Sequence, residues 1–414
     1  MRERKYTKSV LILSIGTLLS QAIGVLISPI LARIFDPYSF GMFAVYTSVV
    51  STLIPLMSGK YDVAAVSQKS KIQSIILFQV AEIITIIFAI TIAIVLAIVY
   101  FQGYSIATNY IMVLIAVPAG LLLGSFFSIN FNRLTALGDF KEISKQKVYL
   151  ETLVSVAAIT LGISGVKNGM VYGAILGGVI LLSVIGIKAG TKYLIMMSRV
   201  SRGKIFTVKK YISYLKYNAT TAVLDGLTVA MPTFYIAQMY GAKETGYFFL
   251  ATKIINAPTS FISSSIAQVN LRYVAELKND NKKIMPFVIY QSIAMLIFSA
   301  SLILLWYLMG GPIIEIVFGK EWIMVTQLTM IMILSLPAKF LASTLSTILG
   351  ATGSNRAAAF WRVTTFSSMC IFIFCVPINV PLVTFIQLLV IFEVLAYVFY
   401  YSIIVYTVLS VARK

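Results

Sequence analysis

Residues 72–101 read IQSIILFQVAEIITIIFAITIAIVLAIVYF and carry one charged side chain, Glu82. A helix of this length and composition spans the roughly 30 Å hydrocarbon core of a bilayer. Comparable apolar runs fill the chain, in which 59% of residues are hydrophobic and 11% are charged. A soluble domain carries charge on about a quarter of its residues. The sequence therefore predicts an all-α integral membrane protein with about twelve transmembrane helices. The predicted spans cover residues 9–33, 38–66, 72–101, 106–134, 148–165, 169–187, 211–240, 245–274, 285–309, 322–350, 357–378 and 382–409.

The basic residues are distributed unevenly between the two sets of loops that these spans define. Of 33 lysines and arginines, 22 fall in the loops of one side and 4 in the loops of the other. Because cytoplasmic loops carry the excess of positive charge, this asymmetry predicts a multi-pass protein with both termini in the cytoplasm. The net charge of +19 thus indicates topology and attraction to anionic membrane lipids rather than a nucleic-acid partner.

Two halves of the chain share a sequence pattern. Residues 29–43 begin with a proline, pass through a tight turn and end in Gly-x-Phe, and residues 232–248 repeat this order. Each half begins on the same side of the membrane, so the repeats are parallel and related by an axis along the membrane normal. We expect two parallel six-helix bundles, at residues 1–190 and 211–414, joined by a cytoplasmic linker at 191–210. A central cavity between the bundles would suit alternating access.

The run LARIFDPYSFGMFAVYTS at residues 31–48, followed by KYDVAAV at 60–66, resembles the start of Wzx-type polysaccharide flippases. These belong to the multidrug/oligosaccharidyl-lipid/polysaccharide (MOP) exporter superfamily. The resemblance implies a bacterial inner-membrane protein that moves undecaprenyl-diphosphate-linked O-antigen or capsule repeat units, as in lipopolysaccharide biosynthesis, to the outer leaflet through a cationic cavity. Where many relatives carry Arg-Tyr-Glu, this chain has Lys60-Tyr61-Asp62, which keeps the charges but lacks the guanidinium fork.

Basic residues inside the spans are the candidate ligands for a diphosphate. Lys60 and Lys253 are the leading candidates, because both lie deep in helices that line the cavity in the resembled superfamily. Lys339 lies near the midplane, where a charge costs about 2.5–3.5 kcal/mol on insertion scales. We therefore expect it to have either a neutralising partner or a functional role. The alternatives are that Gly59 ends the helix before Lys60, that Lys253 pairs with Asp225, and that Lys339 pairs with an inner acid.

Further candidates complete the predicted substrate site. Arg33 lies within the motif that resembles the flippases, whereas Arg133 and Arg272 lie near cytoplasmic helix ends, where snorkelling anchors are the alternative interpretation. Tyr61 is a candidate to stack on a sugar, and Asn218 to hydrogen-bond one, although such residues are also ordinary interfacial and interhelical groups.

Carboxylates inside the spans are candidates for ion coupling. Asp62 accompanies Lys60 in the predicted substrate site. Asp225 is the deepest acid and a candidate proton or sodium site, with a structural salt bridge as the alternative. We interpret Glu82, Glu151 and Glu393 as packing or interfacial residues rather than site residues.

Several functions are disfavoured. The chain has no histidine, the commonest general base and metal ligand. The spacing of Cys370 and Cys375 does not place them on one helix face, which disfavours a disulfide or a metal site. No Gly-x-x-x-x-Gly-Lys-Ser/Thr loop is present, so ATP hydrolysis would need another subunit. We therefore expect a monomeric transporter that is not an enzyme, with no metal or cofactor beyond coupling to H⁺ or Na⁺, and with lipid-linked oligosaccharide and other polysaccharide-assembly membrane proteins as partners.

Two other functions remain open from the sequence. A cation-coupled multidrug antiporter of the MATE kind shares the expected architecture, but its pocket should be acidic, whereas the deep residues here lean basic. A membrane glycan polymerase should have a sizeable outer loop, and the longest predicted outer loop, residues 310–321, is short.

Overall fold

The computed structural model of the chain describes residues 2–102, 110–189, 202–280, 283–352 and 354–412. All regular secondary structure in these ranges is helical, which confirms the predicted all-α class. Within the described ranges, ten helices are long and apolar enough to cross a membrane. The predicted seventh and eighth spans also form helices, Thr220–Met239 and Ala242–Asn279, but are not among those ten. Polar residues such as Asp225 and Lys253 interrupt both.

Contacts divide the chain into two compact units, Met1–Gln238 and Met239–Lys414. The helices of the first unit, with α9 ending at the boundary, are α1 Arg2–Ile34, α2 Pro37–Met57, α3 Tyr61–Val66, α4 Lys71–Phe101, α5 Ile111–Leu137, α6 Phe140–Ile163, α7 Gly169–Ala189, α8 Arg202–Lys210, the π-helix Tyr214–Ala219 and α9 Thr220–Met239. Those of the second are α10 Ala242–Asn279, α11 Met285–Phe318, α12 Ile323–Met332, α13 Leu336–Leu345, α14 Thr347–Thr352, α15 Asn355–Cys375 and α16 Leu382–Ala412.

The boundary between the units differs from the predicted boundary between the bundles. The predicted second bundle begins at residue 211, whereas α9 groups with the first unit. At one point α9 approaches α2 closely, since a Cβ built on Gly226 would lie only 3.0 Å from Thr52 Cα. The six-plus-six repeat, with residues 191–210 as a linker, stays a prediction, and residues 190–201 lie outside the described part of the chain.

Three predicted spans differ from the observed helices, two because a turn breaks them and one because a predicted break is helical. The predicted span 38–66 is two helices, because α2 ends at Met57 and α3 begins at Tyr61. The predicted break at residues 310–312 is helical instead, since α11 continues to Phe318 and Gly319 ends it with a positive φ of 100°. The predicted span 322–350 is helical but broken, with a 3-10 turn at Ile333–Ser335 between α12 and α13.

Glycines set a close helix crossing in the first unit. A Cβ at Gly173 of α7 would lie 2.6 Å from Ala158 N of α6, and one at Gly177 would lie 2.5 Å from Val154 N. Small residues four apart allow backbones to approach in this way in membranes. Beside this pair, α3, α4 and α5 bury one apolar cluster that includes Tyr61, Leu77 and Ile129, and this cluster holds the candidate site in place.

Candidate substrate site

The loop between α2 and α3 places Lys60 in an unusual backbone conformation. Gly59 and Lys60 both adopt the left-handed region, with φ of 56° and 58°. Lys60 is the one non-glycine residue with a positive φ among the described residues. Such a conformation costs on the order of 1–3 kcal/mol in a non-glycine residue and persists only where its surroundings impose it. The half-buried side chain of Lys60 therefore starts from a fixed turn rather than from a continuous helix.

The carboxylate of Asp62 stabilises this turn by accepting hydrogen bonds from uncharged side chains. Ser58 Oγ donates to Asp62 Oδ1 at 2.8 Å and accepts from the Lys60 N–H at 3.3 Å. Asn132 Nδ2 and Ser128 Oγ, both on α5, donate to Asp62 Oδ2 at 2.7 Å and 3.4 Å. Asp62 is 1% exposed, so these bonds replace the water that a buried carboxylate needs. The network ties α3 to α5 and fixes the backbone from which Lys60 projects.

A buried ion pair lies one residue further along α5. Arg133 Nη2 bonds Glu82 Oε1 of α4 at 2.9 Å, and the Arg133 guanidinium carbon lies 5.6 Å from the centroid of the Phe78 ring. Glu82 is almost fully buried, so removing either partner would leave an uncompensated charge. The charge of Arg133 is therefore paired with Glu82 in this structure, and its contact with substrate stays a prediction.

Tyr61 serves as a packing residue in this structure. Its side chain is fully buried, and its Oη donates to the carbonyl of Val208 at the end of α8 at 3.1 Å. Protein covers both faces of the ring, so stacking on a sugar stays a prediction that requires the ring to be uncovered.

Asn218 and Asp225 lie on two elements that approach α2. The π-helix Tyr214–Ala219 packs against α2 and α3, with Leu215 beside Gly59. Asn218 is exposed on this π-helix. Asp225 is half-buried on α9 beside Gly226, at the contact with Thr52 of α2. The first unit therefore contains Lys60, Tyr61, Asp62, Arg133, Asn218 and Asp225. Of these residues, Asp62 is joined directly to the turn at Lys60, but a shared site for all six stays a prediction.

Arg33 lies apart from this group. It occupies the last turn of α1, where its charge complements the helix dipole, and its side chain is exposed. The 21 residues of α2 separate this end from Lys60, a length of about 30 Å in an α-helix. The structure does not bring Arg33 and Lys60 together.

The second unit holds the remaining candidates. Lys339 of α13 forms an ion pair with Glu393 of α16, with Nζ 2.7 Å from Oε2 and both side chains mostly buried. Lys253 is half-buried on α10, which packs against α13. The predicted pair between Lys253 and Asp225 stays a prediction, and the side chain of Arg272 lies outside the described residues.

The alternative interpretation of Lys339 as one member of an ion pair with an inner acid is confirmed, but the sequence did not identify which residues are the partners of these charges. The sequence indicates packing roles for Glu82 and Glu393, yet each neutralises a candidate cation. Nothing in the sequence marks Ser58, Ser128 and Asn132 as partners of Asp62. An acid within an apolar span is the signal that could have indicated Glu82 and Glu393, whereas small polar residues such as Ser128 carry no such signal.

The sequence profile of a family described as "Polysaccharide biosynthesis protein" matches residues 30–327. The chain belongs to this family. The match includes the turn at Gly59 and Lys60, the Asp62 network and α3 to α5. No curated protein sequence matches the chain significantly.

Solved structures place this member of the polysaccharide biosynthesis family in a wider fold. The lipid II flippase MurJ, in an inward closed conformation, has a TM-score of 0.71 and 16% identity over 97% of this chain and 90% of that chain. An inward-facing multidrug resistance MATE family transporter of the MOP superfamily has a TM-score of 0.67 and 12% identity over 96% of both chains. A MOP superfamily transporter from Pyrococcus furiosus Vc1 is described as having a binding pocket of reverse polarity. It has a TM-score of 0.64 and 14% identity over 98% of this chain and 96% of that chain. The chain thus has the fold of MOP superfamily transporters, which confirms the predicted resemblance.

Proposed function

We propose that the chain is a flippase that moves undecaprenyl-diphosphate-linked oligosaccharide repeat units from the cytoplasmic to the outer leaflet by alternating access. The observation that carries this proposal is the family match across residues 30–327. The fold is shared by a lipid II flippase and by multidrug transporters, so the fold alone does not choose between them. Membership in a polysaccharide biosynthesis family favours the lipid-linked glycan.

The charges of the first unit support an anionic substrate. Within the described part of the chain, no carboxylate forms an ion pair with Lys60 Nζ, whereas Arg133 and Lys339 are each paired with a glutamate. A half-buried lysine on a fixed turn suits a diphosphate, because a charge-assisted hydrogen bond strengthens away from bulk water. Lys60 is therefore our proposed diphosphate contact, and Asp62 is its positioning residue.

A cation-coupled multidrug antiporter is the second candidate, because a MATE transporter shares the fold. A pocket for lipophilic cations needs an available carboxylate, yet Asp62 is engaged by three neutral donors. Glu82 and Glu393 are held in ion pairs. These engagements favour the flippase proposal. Coupling to H⁺ or Na⁺ through Asp225 remains a proposal for either function.

Reconstitution tests the proposed function directly. Proteoliposomes should flip a fluorescent lipid-diphosphate oligosaccharide, measured by the fraction of label that an external quencher reaches over time. The same vesicles should not accumulate ethidium when an H⁺ or Na⁺ gradient is imposed. Ethidium uptake in the absence of glycan flipping would replace the flippase proposal with the antiporter. Vesicles carrying the Lys141→Gln variant, which alters an exposed lysine, provide a control for the loss of one positive charge.

We further propose that the protein resides in a bacterial cytoplasmic membrane with both termini inside. The motivating observation is the 22-to-4 asymmetry of basic residues on the predicted spans. In a background in which Cys370 and Cys375 are serine, a cysteine at exposed Ser164 should react with an impermeant maleimide added to intact cells. A cysteine at exposed Lys69 should react only after the membrane is opened. The opposite labelling pattern would invert the proposed orientation.

A further inference from the structure

A group of lysines forms a basic surface, defined here as Lys69, Lys71, Lys209 and Lys210, where α8 packs against α4. All four side chains are exposed. Tyr211 Oη donates to Gln68 Oε1 at 2.9 Å, which brings the end of α8 beside the turn between α3 and α4. Lys69 follows Gln68 and Lys210 precedes Tyr211, so the two segments present their lysines side by side.

Nothing within these segments neutralises the basic surface. Residues 63–81 and 152–224 contain no aspartate or glutamate. Among the described residues, none of the four lysines forms an ion pair. Lys210 Nζ instead lies 5.4 Å from the centroid of the Tyr211 ring. The opposite charge must come from outside the chain.

Exposed apolar side chains accompany the lysines. Phe206 is 68% exposed, Tyr217 is 60% exposed and Ile212 is 47% exposed. Lysines interspersed with exposed aromatic and aliphatic groups are typical of a segment in the interface of a bilayer, with the apolar groups among acyl chains and the lysines at the headgroups. A soluble anion would have no use for these apolar groups, so the charge complement of this surface is a lipid headgroup.

The inner side of the same segment holds the turn that carries Lys60. Val208 accepts the hydrogen bond from Tyr61 Oη at 3.1 Å. A Cβ built on Gly59 would lie 2.9 Å from the Tyr61 ring and 3.4 Å from Leu215 Cδ1. Val208, Tyr211, Tyr214 and Leu215 pack against the apolar cluster around Tyr61. Any ligand that fixes α8 therefore also fixes the two left-handed residues.

We propose that the basic surface binds the headgroups of anionic phospholipids, and that this binding holds the turn at Gly59 and Lys60 in its left-handed conformation. The lipid binds the exposed face of α8. The hydrogen bond from Tyr61 to Val208 then transmits the restraint on α8 to the turn at Gly59 and Lys60. The inference does not depend on which substrate the protein transports.

Hydrogen–deuterium exchange of the full chain in nanodiscs tests the proposal. Replacing phosphatidylcholine with a mixture that contains phosphatidylglycerol should slow amide exchange in residues 59–68. Each lysine near an anionic surface contributes about a fivefold change in binding. The double variant Lys209→Gln/Lys210→Gln should therefore need a much higher phosphatidylglycerol fraction for the same protection. The matched double variant Lys141→Gln/Lys145→Gln, which removes two exposed lysines of α6, should respond like the wild type.

Two further arms distinguish the source of the anion and the route of coupling. Inorganic pyrophosphate added to phosphatidylcholine nanodiscs should leave exchange in residues 59–68 unchanged; protection by pyrophosphate would assign the surface to a soluble or substrate diphosphate instead. The Tyr61→Phe variant should keep lipid-dependent protection in residues 203–212 and at Gln68, which Tyr211 still holds, and should lose most of it in residues 59–62. An equal response of the Lys209→Gln/Lys210→Gln variant and the wild type would overturn the proposal, as would full lipid-dependent protection of residues 59–62 in Tyr61→Phe.

Discussion

Replacing Lys60 with glycine should abolish most flipping of a lipid-diphosphate oligosaccharide while leaving the protein folded. A hydrogen bond to a charged group contributes about 1.5–3 kcal/mol, so the initial flipping rate at subsaturating substrate should fall about tenfold to a hundredfold. Glycine adopts a φ of 58° without strain, so this variant should be at least as thermally stable as the wild type. Proteoliposome flipping and a thermal melt in detergent measure the two effects.

Two comparison variants separate the charge of Lys60 from its backbone conformation. Lys60→Arg keeps the charge and the strain, and should retain most flipping. Lys60→Met loses the charge and keeps the strain, so it should flip as poorly as Lys60→Gly but melt at a lower temperature. Normal flipping by Lys60→Gly at matched protein abundance would show that Lys60 is a solvated charge at the end of α2 and would remove it from the site.

The membrane spans could be predicted because the bilayer sets their length and excludes charge from their centres. The residues 72–101 differ from α4 by a single residue at the start. Average hydropathy could not reveal the break at Gly59 and Lys60, because three residues of turn between two apolar helices barely change it. The alternative that Gly59 ends the helix before Lys60 came from the glycine alone and is confirmed. The glycines and proline at residues 310–312 led to a false break, where an α-helix accommodates all three residues.

The partners of the candidate charges could not be predicted because they depend on how helices pack. Asn132 lies 70 residues from Asp62, and Glu82 lies 51 residues from Arg133. Each contact requires the rotation of two helices about their axes, and the nearly uniform apolar surface of a membrane helix leaves that rotation unspecified in the sequence. Individual charged residues could be identified as candidates, whereas their division into paired and available groups required the structure.

The ion pair between Lys339 and Glu393 should have a large effect on stability and a small effect on transport. Removing one member of a buried pair leaves an uncompensated charge and costs about 3–5 kcal/mol. Lys339→Met and Glu393→Gln should each lower the melting temperature and the membrane abundance strongly. The double variant Lys339→Met/Glu393→Gln removes both charges, and should recover most of the stability because neutral groups of similar volume replace a buried pair with little loss.

Flipping by that double variant then decides the role of Lys339. Because Glu393 Oε2 lies 2.7 Å from Lys339 Nζ, we expect the lysine charge to be committed to α16 and the stable double variant to flip lipid-diphosphate glycan at close to the wild-type rate. A double variant that melts like the wild type but flips as slowly as Lys60→Gly would contradict this. In that case the diphosphate must compete with Glu393 for Lys339, and breaking the pair between α13 and α16 would be a step of transport rather than a fault in folding.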